Sequence, residues 1–172
     1  MKCLEFSDSH GKLDHMRRAV EAEKPDWVFH LGDMVRDARQ LQWDYPNLPM
    51  DWVRGNCDGY SGDEEDPEER EIFLDGKRIW LLHGHTYQVK LGIGMLMTEA
   101  RARGVQAVLF GHTHTPTCFL EGELWVMNPG TVSGLPQATY GVIESDGDSL
   151  NCRLVDCRPK PQSGERKKGW FF

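Results

Sequence analysis

Five short apolar runs in this 172-residue chain each stop at a turn that combines a glycine with a polar side chain. The turns are Asp8-Ser9-His10-Gly11, Gly32-Asp33, Gly55-Asn56, His83-Gly84 and Gly111-His112-Thr113-His114. Strand-like and helix-like stretches alternate along the first half of the chain, which is the pattern of an α/β fold with parallel strands. Ligands of such folds bind beyond the carboxyl ends of the strands, so the five turns would meet at one rim if the strands share a sheet.

Hydrophobic periodicity gives the extents of the predicted elements. Strands are expected at 2–7, 27–31, 51–54, 105–110, 117–120, 124–127, 140–144 and 150–155, with a hairpin at 71–82. The hairpin turns at Asp75-Gly76, a strong turn signal. Helices are expected from Leu13 to before Pro25, over 36–42, and through Val89, Ile93, Leu96 and Met97 up to Gly104. We expect a single α/β domain.

Composition excludes several classes of function. A formal net charge of −7 at pH 7 argues against general nucleic-acid binding, which needs clustered Lys and Arg. No apolar stretch approaches the ~18–20 residues of a membrane span, and the first residues lack the apolar region of a signal peptide. The five cysteines form no C-x-x-C pair, so we expect reduced thiols in a cytoplasmic protein. They are Cys3, Cys57, Cys118, Cys152 and Cys157.

Seven side chains at the five turns are potential metal ligands: Asp8, His10, Asp33, Asn56, His83, His112 and His114. Singly, each is better explained as a turn former or a satisfied histidine, but five such turns together favour a metal site. Seven ligands exceed one tetrahedral shell and suit two ions that share a carboxylate, for which Asp33 is the natural bridge. Two divalent ions ~3.5–4 Å apart clamp the attacking and leaving oxygens of an in-line displacement. Their charge exceeds that of two aspartates and a hydroxide, so the centre would attract a phosphate ester.

The ordered motifs resemble those of the calcineurin-like metallophosphoesterases. Gly55-Asn56-Cys57-Asp58 and Asn128-Pro129-Gly130 are most similar to the small YfcE-like bacterial and archaeal phosphodiesterase branch. The resemblance implies a four-layer α/β/β/α sandwich, which we assign to a domain at 1–157. The basic tail at 158–172 contains Pro, Gly, Lys and Arg, and we expect it to be weakly ordered. It implies two ions, one held by Asp8, His10, Asp33 and His114 and the other by Asp33, Asn56, His83 and His112. It also implies Mn²⁺-dependent cleavage of phosphodiesters.

Cys57 departs from the family pattern. Many members have a histidine here that is thought to protonate the leaving group, and a thiol with a pKa near 8.5 is a poor substitute for an imidazole near 6.5. The candidates for the missing acid are His85, Asp58 and a metal-bound water. Activated leaving groups need no acid, so aryl esters should react faster than alkyl esters. Cys57 itself is interpreted as a small packing residue, because metal-activated hydroxide makes a covalent step unnecessary.

The predicted reaction is in-line attack of a metal-bridging hydroxide on a small phosphodiester substrate. The alternatives are a phosphomonoesterase, a nucleotide pyrophosphohydrolase, or a non-catalytic scaffold like the retromer subunit that resembles this branch. Besides Mn²⁺, the nitrogen and oxygen ligands suit Fe, Zn, Co or Ni. The terminal Trp170-Phe171-Phe172 is a possible homo-oligomer contact. No stretch identifies the physiological substrate.

Overall fold

A computed structural model describes residues 1–59, 66–134 and 137–158. Ten strands are present there: β1 (Lys2–Phe6), β2 (Trp27–His30), β3 (Met50–Trp52), β4 (Glu69–Leu74), β5 (Lys77–Leu82), β6 (Ala107–Phe110), β7 (Thr117–Glu121), β8 (Leu124–Asn128), β9 (Thr139–Ser145) and β10 (Leu150–Asp156). The helices in these ranges are α1 (Leu13–Glu23), α2 (Val35–Asp44) and α3 (Gly94–Arg103), with a 3-10 turn at His85–Tyr87.

The strands form two five-stranded sheets, ordered β10-β9-β1-β2-β3 and β4-β5-β6-β8-β7. In the first sheet β1, β2 and β3 are parallel, and in the second β5, β6 and β8 are parallel. The sequence analysis considered one sheet shared by all five apolar runs. The structure instead divides these runs between two sheets. Three lie in the first sheet and two in the second, because β5 pairs with β4 and β6 rather than with β3.

Three buried clusters define four layers. Alternate residues of β5 show the arrangement, since Ile79 and Leu81 face the first sheet whereas Trp80 and Leu82 pack with α3. The outer face of the first sheet packs on α1 and α2 through a third cluster. A strand that is buried on both faces has a continuous apolar sequence, and β5 and β6 are of this kind. The predicted α/β/β/α sandwich is confirmed.

The helix α3 is shorter than the periodicity predicted. It begins at Gly94, because Gln88 and Gly92 have positive φ values of 51° and 140°, which an α-helix does not contain. Val89 and Ile93 nevertheless pack in the same cluster as α3, which explains why their spacing resembled a helix. The hairpin turn is as predicted.

The five cysteines are free, but Cys57 is exposed, so its interpretation as a packing residue is wrong. Part of the acidic loop, 60–65, and the tail residues 159–172 lie outside the described residues. In the described ranges, no helix is long and apolar enough to cross a membrane.

Candidate metal centre

Four of the seven predicted ligands form a compact group where the carboxyl ends of the two sheets meet. One side-chain ligand atom each from Asp8, His10, Asp33 and His114 lies within 4.8 Å of all the others. Zinc–ligand bonds of about 2.0–2.2 Å allow two ligands of one ion to be at most about 4.4 Å apart. The observed spacing is therefore close to that of a single coordination shell.

Asp8 supplies the clearest test of whether a cation fits this group. Its Oδ2 accepts hydrogen bonds from the Ser7 hydroxyl at 2.6 Å and the His112 backbone N–H at 3.2 Å. Its Oδ1 is buried and accepts no hydrogen bond from the described residues, although His114 Nε2 lies 2.9 Å away. A buried carboxylate oxygen without a partner costs free energy, and a divalent cation bound here would remove that cost. The site fits a metal ion.

A second set of contacts extends from Asp33. Its Oδ1 is 3.4 Å from His83 Nε2, which lies 3.2 Å from His112 Nδ1. His83 Nδ1 is 2.7 Å from the carbonyl oxygen of Leu31, so this nitrogen is the donor and Nε2 of a neutral ring is left as a possible ligand. Asp33 thus belongs to both groups.

Asn56 is the predicted ligand that the structure does not bring into these contacts. Its side chain is exposed, and its amide donates a hydrogen bond to Cys57 Sγ at 3.4 Å. Six of the seven predicted ligands therefore converge, and Asn56 lies at the edge of the site.

The backbone of the turns has positive φ at several positions, a conformation that residues other than glycine rarely adopt. Five predicted ligands have positive φ: Asp8 (53°), His10 (43°), Asp33 (55°), His112 (67°) and His114 (58°). Residues in this region cost free energy and are retained at functional sites, where the surrounding structure imposes them. The surrounding structure therefore holds the backbone at these five ligands in place.

Two motif glycines are required by space rather than by φ. A Cβ on Gly55 would lie 2.1 Å from Asp33 Oδ1, and one on Gly111 would lie 2.0 Å from the Ser7 hydroxyl. Real Cβ contacts are never this short, so the ligand turns pack directly on the glycine backbone. This close approach explains the glycines beside the ligands.

Asp58, a predicted acid candidate, is engaged in backbone hydrogen bonds. Its carboxylate accepts from the N–H groups of Gly55, Asp33, Met34 and Val35 at 2.7–2.8 Å, using both oxygens. These bonds tie the Gly55 turn to the turn that carries Asp33 and to the start of α2. Asp58 accordingly acts by positioning Asp33.

A buried network that sequence reasoning missed supports the first turn. Asp37 Oδ2 accepts hydrogen bonds from the Ser9 hydroxyl at 2.7 Å and the Gly11 N–H at 2.6 Å, and Ser9 Oγ is 3.1 Å from His30 Nε2. Burial lowers the pKa of His30 to about 4, so the ring is neutral. Since the Ser9 proton is donated to Asp37, His30 donates to Ser9. The only sequence signal was a carboxylate on the buried face of α2.

The electrostatics of the site favour ionised Asp33. Burial opposes its ionisation, but the hydrogen bond and charge of His83 and the N–H of Cys57 hold the pKa of Asp33 below its usual value. Burial would lower the pKa of His83, yet Asp33 and Asp8 outweigh burial and raise it. Burial lowers the pKa of His112 to about 4, with the charges of His83 and Lys90 adding to the effect.

His85, the remaining side-chain candidate for the acid, and Cys57 both lie beside the metal ligands. The ring of His85 is 5.5 Å from that of His83 and 6.1 Å from that of His112, measured between centroids. Burial and the charge of His83 lower the pKa of His85, so its ring is largely neutral at pH 7. A hydrogen bond to Asp33, with burial, raises the pKa of the Cys57 thiol to about 11. Cys57 therefore keeps its proton.

The sequence of this chain matches a known protein family. The family described as the calcineurin-like phosphoesterase superfamily domain matches residues 1–148. Phosphodiesterase YfcE of Escherichia coli (strain K12) is 26% identical over 174 residues, covering 85% of this chain and 89% of that protein.

Solved structures agree with the sequence match. A conserved uncharacterised protein of Streptococcus pneumoniae TIGR4, described as a predicted phosphoesterase, has a TM-score of 0.71 at 28% identity over 91% of this chain and 89% of that one. Vacuolar protein sorting 29 of Cryptosporidium parvum has a TM-score of 0.69 at 18% identity over 90% and 96%, a likeness of fold alone. The family match over most of the chain settles its membership: this protein belongs to the calcineurin-like phosphoesterase superfamily.

Proposed function

We propose that this chain is a phosphodiesterase that uses two divalent ions. The observation that carries the proposal is Asp8 Oδ1, a buried carboxylate oxygen without a hydrogen bond inside a group of four ligand atoms. Nitrogen and oxygen donors without a thiolate suit Mn, Fe, Zn, Co or Ni, and the family resemblance favours Mn²⁺ among these. When bound, the ions supply a hydroxide for in-line attack on phosphorus and neutralise charge on the phosphoryl oxygens.

The predicted ligands form two metal positions that share Asp33. We assign Asp8, His10, Asp33 and His114 to one ion, and Asp33, Asn56, His83 and His112 to the other. The depressed pKa of Asp33 keeps this shared ligand negative throughout the neutral range. Asn56 would bind through Oδ1, the amide atom that its hydrogen bond to Cys57 Sγ does not use.

The proposal is tested with paired aryl substrates. With Mn²⁺, bis(4-nitrophenyl) phosphate should be hydrolysed faster than 4-nitrophenyl phosphate, and EDTA should abolish both activities. A faster monoester would assign a phosphomonoesterase instead. Failure to cleave either after Mn²⁺ loading would overturn hydrolysis and favour a scaffold, an alternative to which the fold shared with vacuolar protein sorting 29 gives some support.

Leaving-group dependence provides a second prediction. His85 is the acid candidate without other hydrogen bonds, since its Nδ1 is buried with no described partner, but its lowered pKa leaves little of the protonated form. General acids contribute about 10²–10⁴-fold to rates. We therefore expect aryl diesters to react at least about 100-fold faster than alkyl diesters.

The variant His85→Ala tests whether His85 donates the proton that the leaving group takes up. It should leave the aryl rate nearly unchanged and slow alkyl diesters further. Equal aryl and alkyl rates in the wild-type protein would show that an effective acid is already in place.

A further inference from the structure

A small pocket opens beside the candidate metal centre, between the His112 turn and the segment that leads into α3. Its volume is about 350 Å³, at the small end of the range for ligand sites. We call it the threonine pocket. It is lined by Val89, Lys90, Ile93, Phe110, Thr113, Thr115 and Thr117.

The lining is built into the turns that carry the ligands. Phe110 ends β6 directly before Gly111-His112, and Thr113 separates the two predicted histidine ligands. On the other side, a Cβ on Gly84 would lie 2.9 Å from Val89 Cγ2, so Val89 packs against the residue that follows His83. A group bound in this pocket would therefore be next to the position of His112.

Lys90 gives the threonine pocket a positive charge. The side chain is exposed, and within residues 1–59, 66–134 and 137–158 no carboxylate forms an ion pair with it. Arg54, on the His85 side of the centre, is by contrast paired with Glu68 at 2.7 Å. The charge of Lys90 also reaches the metal centre, since it contributes to the lowered pKa of the predicted ligand His112.

The threonines add hydroxyl groups that are only weakly engaged. The hydroxyls of Thr115 and Thr117 donate to the backbone carbonyls of Thr113 and Thr115 at 3.3 and 3.4 Å, near the long limit for hydrogen bonds. Such hydroxyls can exchange these bonds for bonds to a ligand. The pocket therefore offers one cation and rotatable donors and acceptors above an apolar floor.

We propose that the threonine pocket binds one substituent of the phosphodiester substrate, and that this substituent carries hydroxyl groups and a second anionic group, as a phosphorylated polyol does. This inference rests on the proposed function. Lys90 pairs with the second anionic group, and the hydroxyls of Thr115 and Thr117 bind those of the polyol. The phosphorus that reacts lies at the metal centre.

The test compares ligands that differ by one phosphate. With the Mn²⁺-loaded protein, calorimetry should show glycerol 1,3-bisphosphate binding at least about 10-fold tighter than glycerol 1-phosphate, as expected for one charge-assisted contact. Lys90→Gln should remove this preference. The control Lys24→Gln, an exposed lysine at the opposite end of the first sheet, should retain it. A preference kept in Lys90→Gln, or absent from the wild-type protein, would overturn the inference.

Hydrolysis separates this inference from the proposed function. Two 4-nitrophenyl phosphodiesters, one with glycerol and one with glycerol phosphate as the second substituent, share a leaving group. Lys90→Gln should raise the KM of the phosphorylated ester about 10-fold and leave the glycerol ester unchanged. Equal losses for both esters would contradict a role in recognising the substituent. If the wild-type protein cleaves neither ester, the proposed function fails, whereas the binding preference still tests the pocket.

Discussion

Replacing Asp33 with asparagine should remove both divalent ions and lower diester hydrolysis by at least about 100-fold. Asp33 is shared by the two ligand groups, with its Oδ1 3.4 Å from His83 Nε2 and a carboxylate oxygen in the group of four. Loss of residues that merely orient a ligand typically lowers metal affinity or activity 10–100-fold, so loss of a shared ligand should exceed that. Metal content per chain, measured by mass spectrometry after gel filtration, checks the first expectation.

Two histidine variants show whether the loss of both ions is specific to Asp33. His112→Ala and His114→Ala should each retain one ion and lose a different one, because the side chains belong to different groups. Asparagine preserves the shape of Asp33 and can still accept the Cys57 N–H hydrogen bond, so circular dichroism of Asp33→Asn should be unchanged. Two ions retained in Asp33→Asn, or both lost in either histidine variant, would contradict the assignment.

The sequence predicted the ends of the strands better than it predicted which strands pair. Each ligand turn is a local feature, in which a buried run meets a glycine where the backbone must bend or pack closely. The runs at β2 and β6 look alike because both are buried on both faces, so nothing in their composition tells which sheet each joins. The two sheets nevertheless place their carboxyl ends together, which is why six ligands converge although the single-sheet assumption was wrong.

The supporting residues were harder to predict because their partners are distant in sequence. Asp58 accepts hydrogen bonds from the backbone of Asp33, 25 residues earlier, and Asp37 binds Ser9 across 28 residues. In the sequence these carboxylates resemble ordinary turn and helix residues. Their roles follow only from the packing of α2 against the ligand turns.

Glu5 is the residue in the core whose chemistry fits its surroundings least. It lies in β1, is fully buried, and neither carboxylate oxygen has a hydrogen-bond partner among the described residues. Its Oε2 is 2.5 Å from where a Cβ of Gly141 would be, and Met127 Cε is close to the same point. Burial raises the pKa of Glu5 well above its ordinary value, so the folded protein holds it protonated.

Glu5→Gln should therefore make the free energy of unfolding less dependent on pH. Below a pH of about 4.3, Glu5 of the wild-type protein is protonated in both the folded and the unfolded state. Above that pH the unfolded state loses this proton whereas the folded state keeps it. The free energy of unfolding therefore falls by up to ~1.4 kcal/mol per pH unit until the pH reaches the pKa of Glu5 in the folded state. Urea unfolding of the metal-free proteins between pH 5 and 8 should show the advantage of Glu5→Gln over wild type growing with pH. The control Glu21→Gln, at an exposed position, should follow wild type.

Glu5→Met separates the charge from the missing hydrogen bonds. Methionine has a similar length and no polar atom to satisfy, so this variant should unfold with a flat pH profile and be about 1–3 kcal/mol more stable than Glu5→Gln, whose amide is as unpartnered as the carboxyl group. Parallel profiles for wild type and Glu5→Gln would mean that the carboxyl group ionises equally in both states. That result would require a partner or water beside Glu5, and the space between the sheets would then be wetter than its apolar lining indicates.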